Sequence, residues 1–333
     1  MIGSESQEVE RKVIAILKVL SESAEPLGAR IVANRLIDHG VELGERAVRY
    51  HLKLMDERGL TRLIGRDGRV ITDSGLEELK SALVGDKVGY AISKIELLAY
   101  RTDFDYVRRS GSVPVNITLF PKNQFGKALK VMKPAFLKGW CVSDLVAVAE
   151  EGQSFGELII PEGYVALATV CSIVINGTLL KAGVPMNSKF GGILQIRNNK
   201  PLRFVELIHY SGSSLDPSEV FIRARMTSVA DVLQNGNGKV LANYREIPAV
   251  CQSMAEKVIT QLKQSHLGGL LVIGNASEPV CEMPVELNRL GMVLLGGLNP
   301  VAAAQEAKIE AVSFAMSTTL EYEKLVPFEE VAG

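Results

Sequence analysis

The stretch GERAVRYHLKLMDERGLTRLIGRDGRVIT, residues 44–72, decides how the N-terminal part of the chain is read. Val48, Leu52 and Met55 recur at helical spacing from about Gly44 to Arg58, and Gly59 supplies a stop signal. Leu60 to Ile64 and Val70 to Thr72 then flank Gly65-Arg66-Asp67-Gly68-Arg69, whose Asp-Gly pair tolerates positive φ and marks a hairpin turn. Upstream, Val13, Ile14, Ile16, Leu17 and Leu20 form an apolar stripe at helical spacing. Ile31, Val32, Leu36 and Ile37 predict a second helix from about Ala29 to Asp38, stopped by Gly40, and Ser74 to Leu83 reads as a closing helix. Three helices followed by a two-stranded hairpin is the order of a winged helix-turn-helix.

The third helix carries the chemistry of a DNA reader. Arg46, Arg49, Tyr50 and Lys53 fall at i, i+3, i+4 and i+7, on the face opposite Val48, Leu52 and Met55. Arg66 and Arg69 add positive charge to the hairpin. From Arg46 to Arg69 there are seven basic residues against three acidic ones. A major-groove reader and a phosphate-contacting wing need charge at those two places. His51, beside Tyr50, suits packing and phosphate contact equally. An ordinary solvated face or a protein-interaction module is the competing reading, and agreement of helix order, hairpin and charge favours DNA.

The whole chain sets the bounds on this. Its 333 residues are 47% hydrophobic and 23% charged, which excludes wholesale disorder and a disulfide miniprotein. A formal net charge of −1 gives no global attraction to nucleic acid, so DNA binding must come from the local patch. Cys141, Cys171, Cys251 and Cys281 contain no C-x-x-C pair and imply reduced thiols in a cytoplasmic protein. The acidic, polar start of the chain does not read as a signal peptide. The longest uncharged run, Gly163 to Leu180, includes Thr169, Ser172, Asn176 and Thr178, so it reads as a buried strand and helix rather than a membrane span.

These signals predict two domains, a winged helix over 1–84 and an α/β unit over 85–333. The second is read as an internal duplication with halves at about 85–210 and 211–333. Gly111, Val113, Asn116, Pro121 and Val131 match Gly238, Val240, Asn243, Pro248 and Val258 at one offset of 127 residues, and further collinear matches follow. Each half has the coarse order strand, helix, strand, strand, helix, strand, the βαββαβ pattern of a split βαβ unit. Two such halves predict a ligand groove between them.

Within each half the strand-to-helix turn is the informative spot. The second copy offers Gly296, Gly297 and Asn299 before Pro300, where glycines admit a ligand and open N–H groups at a helix start favour an anion. The first copy offers the polar set Thr169, Cys171 and Ser172, and downstream Ser188 and Lys189 precede a glycine pair. As a set, these residues suit a small carboxylate better than catalysis. No P-loop, G-x-S-x-G elbow, H-E-x-x-H or zinc-spaced Cys/His cluster is present, so neither an enzyme nor a metal site is expected. A lowered thiol pKa for Cys171 at a helix start is the one catalytic possibility, and a buried structural cysteine is the favoured alternative.

Thr169-Val170-Cys171-Ser172, Lys181-Ala182-Gly183-Val184-Pro185, Phe190-Gly191-Gly192, Gly212-Ser213-Ser214-Leu215-Asp216-Pro217 and Gly296-Gly297-Leu298-Asn299-Pro300-Val301 follow a winged helix in this order. The chain thereby resembles the archaeal nitrogen regulatory repressor family, NrpR, over essentially its whole length. The resemblance implies a transcriptional repressor of nitrogen-assimilation genes that binds a palindromic operator on double-stranded DNA as a dimer. It also implies release by 2-oxoglutarate acting as effector, with no other cofactor. A higher homo-oligomer, a PII-type signalling protein and a second NrpR-type subunit are further partners the family suggests. Read without the family, the residues fit a winged-helix regulator sensing another small metabolite, and more distantly a metabolic enzyme with a fused winged helix. In either regulator, the effector would change the separation of two recognition helices through the segment Gly85 to Gly111.

Overall fold

The computed structural model describes residues 2–23, 25–38, 41–82, 89–156 and 158–332. The chain divides into two compact units, Met1–Val88 and Gly89–Gly333. The expected stop at Gly40 and helix end at Leu83 lie outside the described residues.

The first unit contains α1 (Ile2–Ser21), α2 (Ala29–Asp38) and α3 (Glu45–Glu57), a hairpin of β1 (Thr61–Ile64) and β2 (Gly68–Ile71), and α4 (Asp73–Ser81). Val13, Ile16 and Leu17 of α1, Val32 and Leu36 of α2, and Val48, Leu52 and Met55 of α3 form one buried core. Each such burial stabilises by roughly 1.5–3 kcal/mol. Ile31 and Ile37, read as part of the apolar face of α2, are instead exposed. Leu27 pairs with Arg69 and adds a short third strand to the hairpin. Gly68 sits at φ 129° with Leu27 backbone where a Cβ would stand, so only glycine fits this crossing. Thr72 caps α4 by accepting from the Gly75 N–H at 3.1 Å.

The second unit opens with α5 (Tyr90–Arg101), a helix within the segment the sequence treats only as a connector. Then come β3 (Ser112–Pro121), α6 (Lys122–Leu137), β4 (Leu145–Glu150) and the small pair β5 (Ser154–Phe155) and β6 (Leu158–Ile159). These lead to β7 (Tyr164–Val170), α7 (Ile173–Lys181), β8 (Asn187–Arg197) and β9 (Lys200–His209). Two short helices, α8 (Pro217–Arg223) and α9 (Val229–Asn235), lead to β10 (Gly238–Pro248), α10 (Gln252–Gln264), β11 (Leu270–Ile273) and β12 (Arg289–Leu295). The unit ends with α11 (Asn299–Glu306), β13 (Val312–Glu321), β14 (Val326–Pro327) and α12 (Phe328–Ala332).

Each stretch contains the expected elements in order, the first with an unexpected further strand, β9, but the last expected strand does not stay at home. One antiparallel sheet runs β13-β3-β7-β4-β14 and the other β11-β12-β10-β8-β9. β8, the last strand expected in the first half, pairs with β10, Leu194 opposite Val240. β13, which ends the second half, pairs with β3, Val312 opposite Leu119. This corrects the picture of two self-contained halves facing an open groove. A strand's own sequence sets its pleat but not its pairing partner, so the exchange was invisible locally.

The central strands β3, β7, β10 and β12 are buried on both faces, whereas the edge strand β9 is not. Val113, Val115, Ile117 and Leu119 of β3 meet α7 and α10, whereas Phe120 joins the core containing α6 and α11. Double coverage explains the nearly continuous apolar strands, which alternate less than half-exposed ones would.

Candidate functional site

In the first unit, burial of Val48, His51, Leu52 and Met55 orients α3. Arg46, Arg49, Tyr50 and Lys53 are thereby exposed together, with Tyr50 67% accessible. Arg49 is held by Glu45 one turn earlier, an exposed i,i+4 pair that a phosphate can replace at little cost. Arg66 is exposed at the tip of the hairpin, where Asp67 N–H donates to the Ile64 carbonyl at 3.0 Å. Arg69 differs. Its Nε donates to Asp56 at 2.7 Å in a half-buried pair, and the same carboxylate accepts from Thr61 Oγ1 at 2.6 Å. Arg69 thus ties the hairpin to the end of α3, with its side chain only 16% exposed. His51 is buried, and burial followed by the nearby Lys12 charge lowers its pKa, so it packs as a neutral ring.

In the second unit, the two strand-to-helix turns come together where the sheets abut. Gly297 approaches Val170 and Cys171 so closely that a Cβ would lie 2.5 Å from the Val170 carbonyl and from Asn116 Nδ2. Gly296 donates its N–H to Leu241, and Asn299 accepts from Leu241 N–H at 2.8 Å while donating to its carbonyl at 3.0 Å. Gly297 thus stands at the contact between the halves and lines a small cavity there, whereas Gly296 and Asn299 bond within their own half. Thr169 is buried with its hydroxyl unpartnered. Cys171 is buried too, and desolvation pushes its thiol up to about 11, the reverse of an activated nucleophile.

Beside this junction lies a small cavity of about 20 Å³, lined among others by Ser172, Tyr210, Asp216, Asn243, Arg245 and Gly297. Tyr210 donates its hydroxyl to Asn243 at 2.6 Å, and Asn243 Nδ2 donates to Ser172 Oγ at 3.1 Å. Arg245, in the middle of β10 and 1% exposed, donates through Nη1 to the Ser172 carbonyl at 3.1 Å. Its Nη2 donates to Ser172 Oγ at 3.0 Å, and its Nε has no partner. Among the described residues no carboxylate forms an ion pair with it. Burial lowers its pKa, and a guanidinium held there without a counter-ion is costly. Asp216 is only half-buried as a residue, yet its carboxyl is desolvated. That effect, reinforced by Glu219, raises its pKa to about 6 against the pull of its capping bonds from Ser218 and Glu219 N–H.

A separate open cleft of about 620 Å³ is walled by Ile92, Ile95, Glu96 and Ala99 of α5 and by Asn176, Met186, Ser188 and Lys189. Ile95 lines the small cavity as well, and Met186 Sδ lies 3.9 Å from Arg245 Nη1. The cleft and the buried cation are therefore neighbours. Ser188 Oγ accepts from Asn176 at 3.0 Å, leaving Asn176 Oδ1 buried and unpartnered. Lys189 is paired with Glu286 and, at 3.5 Å, with buried Glu246, while Arg289 also reaches both carboxylates. Lys189 is thus already neutralised. A further concavity of about 810 Å³ lies elsewhere around Arg225, Lys308 and Glu310 and contains none of the residues expected from sequence.

Structure accordingly places Cys171, Ser172 and Gly297 around the small cavity beside Arg245 and Ser188 and Lys189 in the cleft wall, and packs Thr169, Gly296 and Asn299 away from both. Sequence reasoning passed over Arg245, Tyr210, Asn116 and Asn243. Two signals were available: a charged Arg-Glu pair inside an apolar strand, and the two asparagines matching at the duplication offset. Among the described residues no group of His, Cys, Asp or Glu is placed to hold a metal, and no helix is long and apolar enough to cross a membrane.

The family of NrpR regulatory domains NRD1 and 2 matches residues 88–327, and the ribonuclease R winged-helix domain matches residues 14–79. The chain is 41% identical over 318 residues to the global nitrogen regulator NrpRI of Methanosarcina mazei, covering 96% of this chain and 98% of that one. It is 34% identical over 318 residues to the global nitrogen regulator NrpR of Methanocaldococcus jannaschii, covering 96% of this chain and 55% of that longer protein. The crystal structure of a nitrogen repressor-like protein from Methanococcus jannaschii superposes with a TM-score of 0.61 at 28% identity, covering 72% of this chain and 98% of that one.

Proposed function

Since the chain belongs to the NrpR family of nitrogen regulators, we propose that it represses nitrogen-assimilation genes by binding a palindromic operator as a dimer and is released by 2-oxoglutarate. Arg46, Arg49, Tyr50 and Lys53 enter the major groove, and Arg66 at the hairpin tip contacts phosphate. The observation that carries the effector half of this reading is Arg245, a buried cation with no carboxylate partner among the described residues, beside a cleft large enough for a small dicarboxylate. One effector carboxylate supplies the missing counter-charge at Arg245, and Ser172, Ser188 and Asn176 offer polar contacts along the route from the cleft. Tyr210, Asn243 and Asp216 hold the inner end of that site.

The common strand order of the two sheets, each completed by the other half, supports descent from a duplicated unit. Exchanged strands interlock the halves, so the effector acts on the domain as one body rather than by closing two lobes. It shifts the population between an operator-fitting arrangement and a non-fitting one only as far as it binds them differently. About 1.4 kcal/mol of coupling lowers operator affinity tenfold.

The test is a gel-shift titration of the full chain on promoter DNA of nitrogen-assimilation genes, at several salt concentrations, with and without millimolar 2-oxoglutarate. Salt-sensitive binding weakened by 2-oxoglutarate, and only slightly by succinate or glutamate, supports the reading. Absence of 2-oxoglutarate binding at millimolar concentration by titration calorimetry refutes the effector assignment.

A further inference from the structure

The outward face of α5 is apolar where a solvated helix would be polar. Tyr90, Leu97 and Tyr100 are 55%, 47% and 71% exposed, and with Ser93 they fall at the 3-4-3 spacing of a coiled-coil seam. The opposite face, with Ala91, Ile95, Leu98 and Ala99, is buried in the domain. Glu96 flanks the seam on one side and Arg101 on the other, and no ion pair occupies either among the described residues.

We propose that this face pairs with the same face of a second copy of the chain, the two α5 helices lying parallel. This rests on the dimer reading above and names its contact. Charge selects the occupant and the direction. In a parallel pair about a two-fold axis, Glu96 of each copy stands beside Arg101 of the other, the g-to-e′ relation five residues apart. In an antiparallel pair e faces e′ and g faces g′, so Arg101 would face Lys94 or Arg101 of the other copy and Glu96 would have no cation beside it. Helices of 12 residues are too short to hold a dimer alone, so the contact forms within the intact chain. Ile92, Ile95, Glu96 and Ala99 of the same helix wall the open cleft, so α5 has ligand on one side and partner on the other. An effector that shifts α5 alters the pairing directly.

The experiment uses the full chain. Tyr90→Cys and Tyr100→Cys place thiols at opposite ends of α5, and both variants form disulfide-linked dimers under mild oxidation only if the helices are parallel. The wild-type chain, with its own four cysteines, is the control. By sedimentation equilibrium, Glu96→Arg raises the dimer dissociation constant about tenfold, and adding Arg101→Glu restores it. A chain that sediments as a dimer but whose Cys variants do not cross-link, or whose single and double charge variants behave alike, overturns this interface and leaves the dimer reading intact. A chain that stays monomeric at all concentrations and binds operator one per site overturns both.

Discussion

Replacing Arg245 with methionine sets two large terms against each other. The guanidinium makes hydrogen bonds of 3.0 and 3.1 Å to Ser172. Bonds to a charged donor contribute about 1.5–3 kcal/mol each. Against this, an ion 1% exposed with an unpartnered Nε bears a desolvation penalty of several kcal/mol, which methionine removes at similar length. Ser172 Oγ keeps its bond from Asn243, so the vacated site is not left wholly unsatisfied. The terms offset to within about 2 kcal/mol of wild-type stability. Effector affinity has no such compensation. Losing a desolvated charge contact to a carboxylate costs about 2–4 kcal/mol, or roughly thirtyfold to a thousandfold in Kd. Thermal unfolding without ligand, paired with titration calorimetry against 2-oxoglutarate, separates the two quantities. The expected outcome is a folded variant whose 2-oxoglutarate binding is nearly abolished. A variant that binds 2-oxoglutarate as wild type does, or one that unfolds by more than about 4 kcal/mol, would refute the idea that Arg245 waits for an anion rather than holding the fold.

In the first unit, Lys53→Ala and Arg49→Ala should weaken operator binding with unchanged circular dichroism, because both side chains are exposed. Arg69→Ala should instead lower stability by about 1–2 kcal/mol through loss of its pair with Asp56, with DNA affinity per folded molecule preserved. For Asp216, the folded state holds a proton up to about pH 6 from an ordinary value of 3.8, so its contribution to stability is full below about pH 4 and fades as pH rises through 6. Asp216→Asn keeps the capping acceptor and should flatten that fall, worth about 2 kcal/mol after allowance for partial exposure, in urea titrations from pH 4 to 7. Gly297→Ala forces a Cβ to within 2.5 Å of backbone at the junction and should destabilise by about 3 kcal/mol or more in urea melts. Gly126→Ala, inside α6 with open space around it, should stabilise by about 0.5–1 kcal/mol in the same assay.

The helix order, the hairpin and the exposed basic face of the first unit were legible because each depends on neighbours a few residues away. Arg69 was the exception on that face, since the partner that captures it, Asp56, lies 13 residues away across the hairpin. Element order in the second unit was legible for the same reason, as apolar runs, Gly stops and prolines at Pro121 and Pro248 mark strands and helix starts. Helix α5 was missed because its outer face carries Tyr90, Leu97 and Tyr100, which blur the polar–apolar contrast that announces a helix.

By itself, then, the chain's order of residues determined two kinds of domain, a helix with an exposed basic face, and the order of strands and helices. Only tertiary structure decided that β8 and β13 change sheets, because backbone hydrogen bonds form equally well with any strand of matching pleat. It also decided that Gly296 and Asn299 serve packing within their own half, and that Lys189 in the cleft wall is ion-paired whereas the neighbouring Arg245 has no carboxylate partner among the described residues. Charge in a sequence says nothing of its counter-charge. Long-range pairing takes Lys189 into a carboxylate network and leaves Arg245 buried without one.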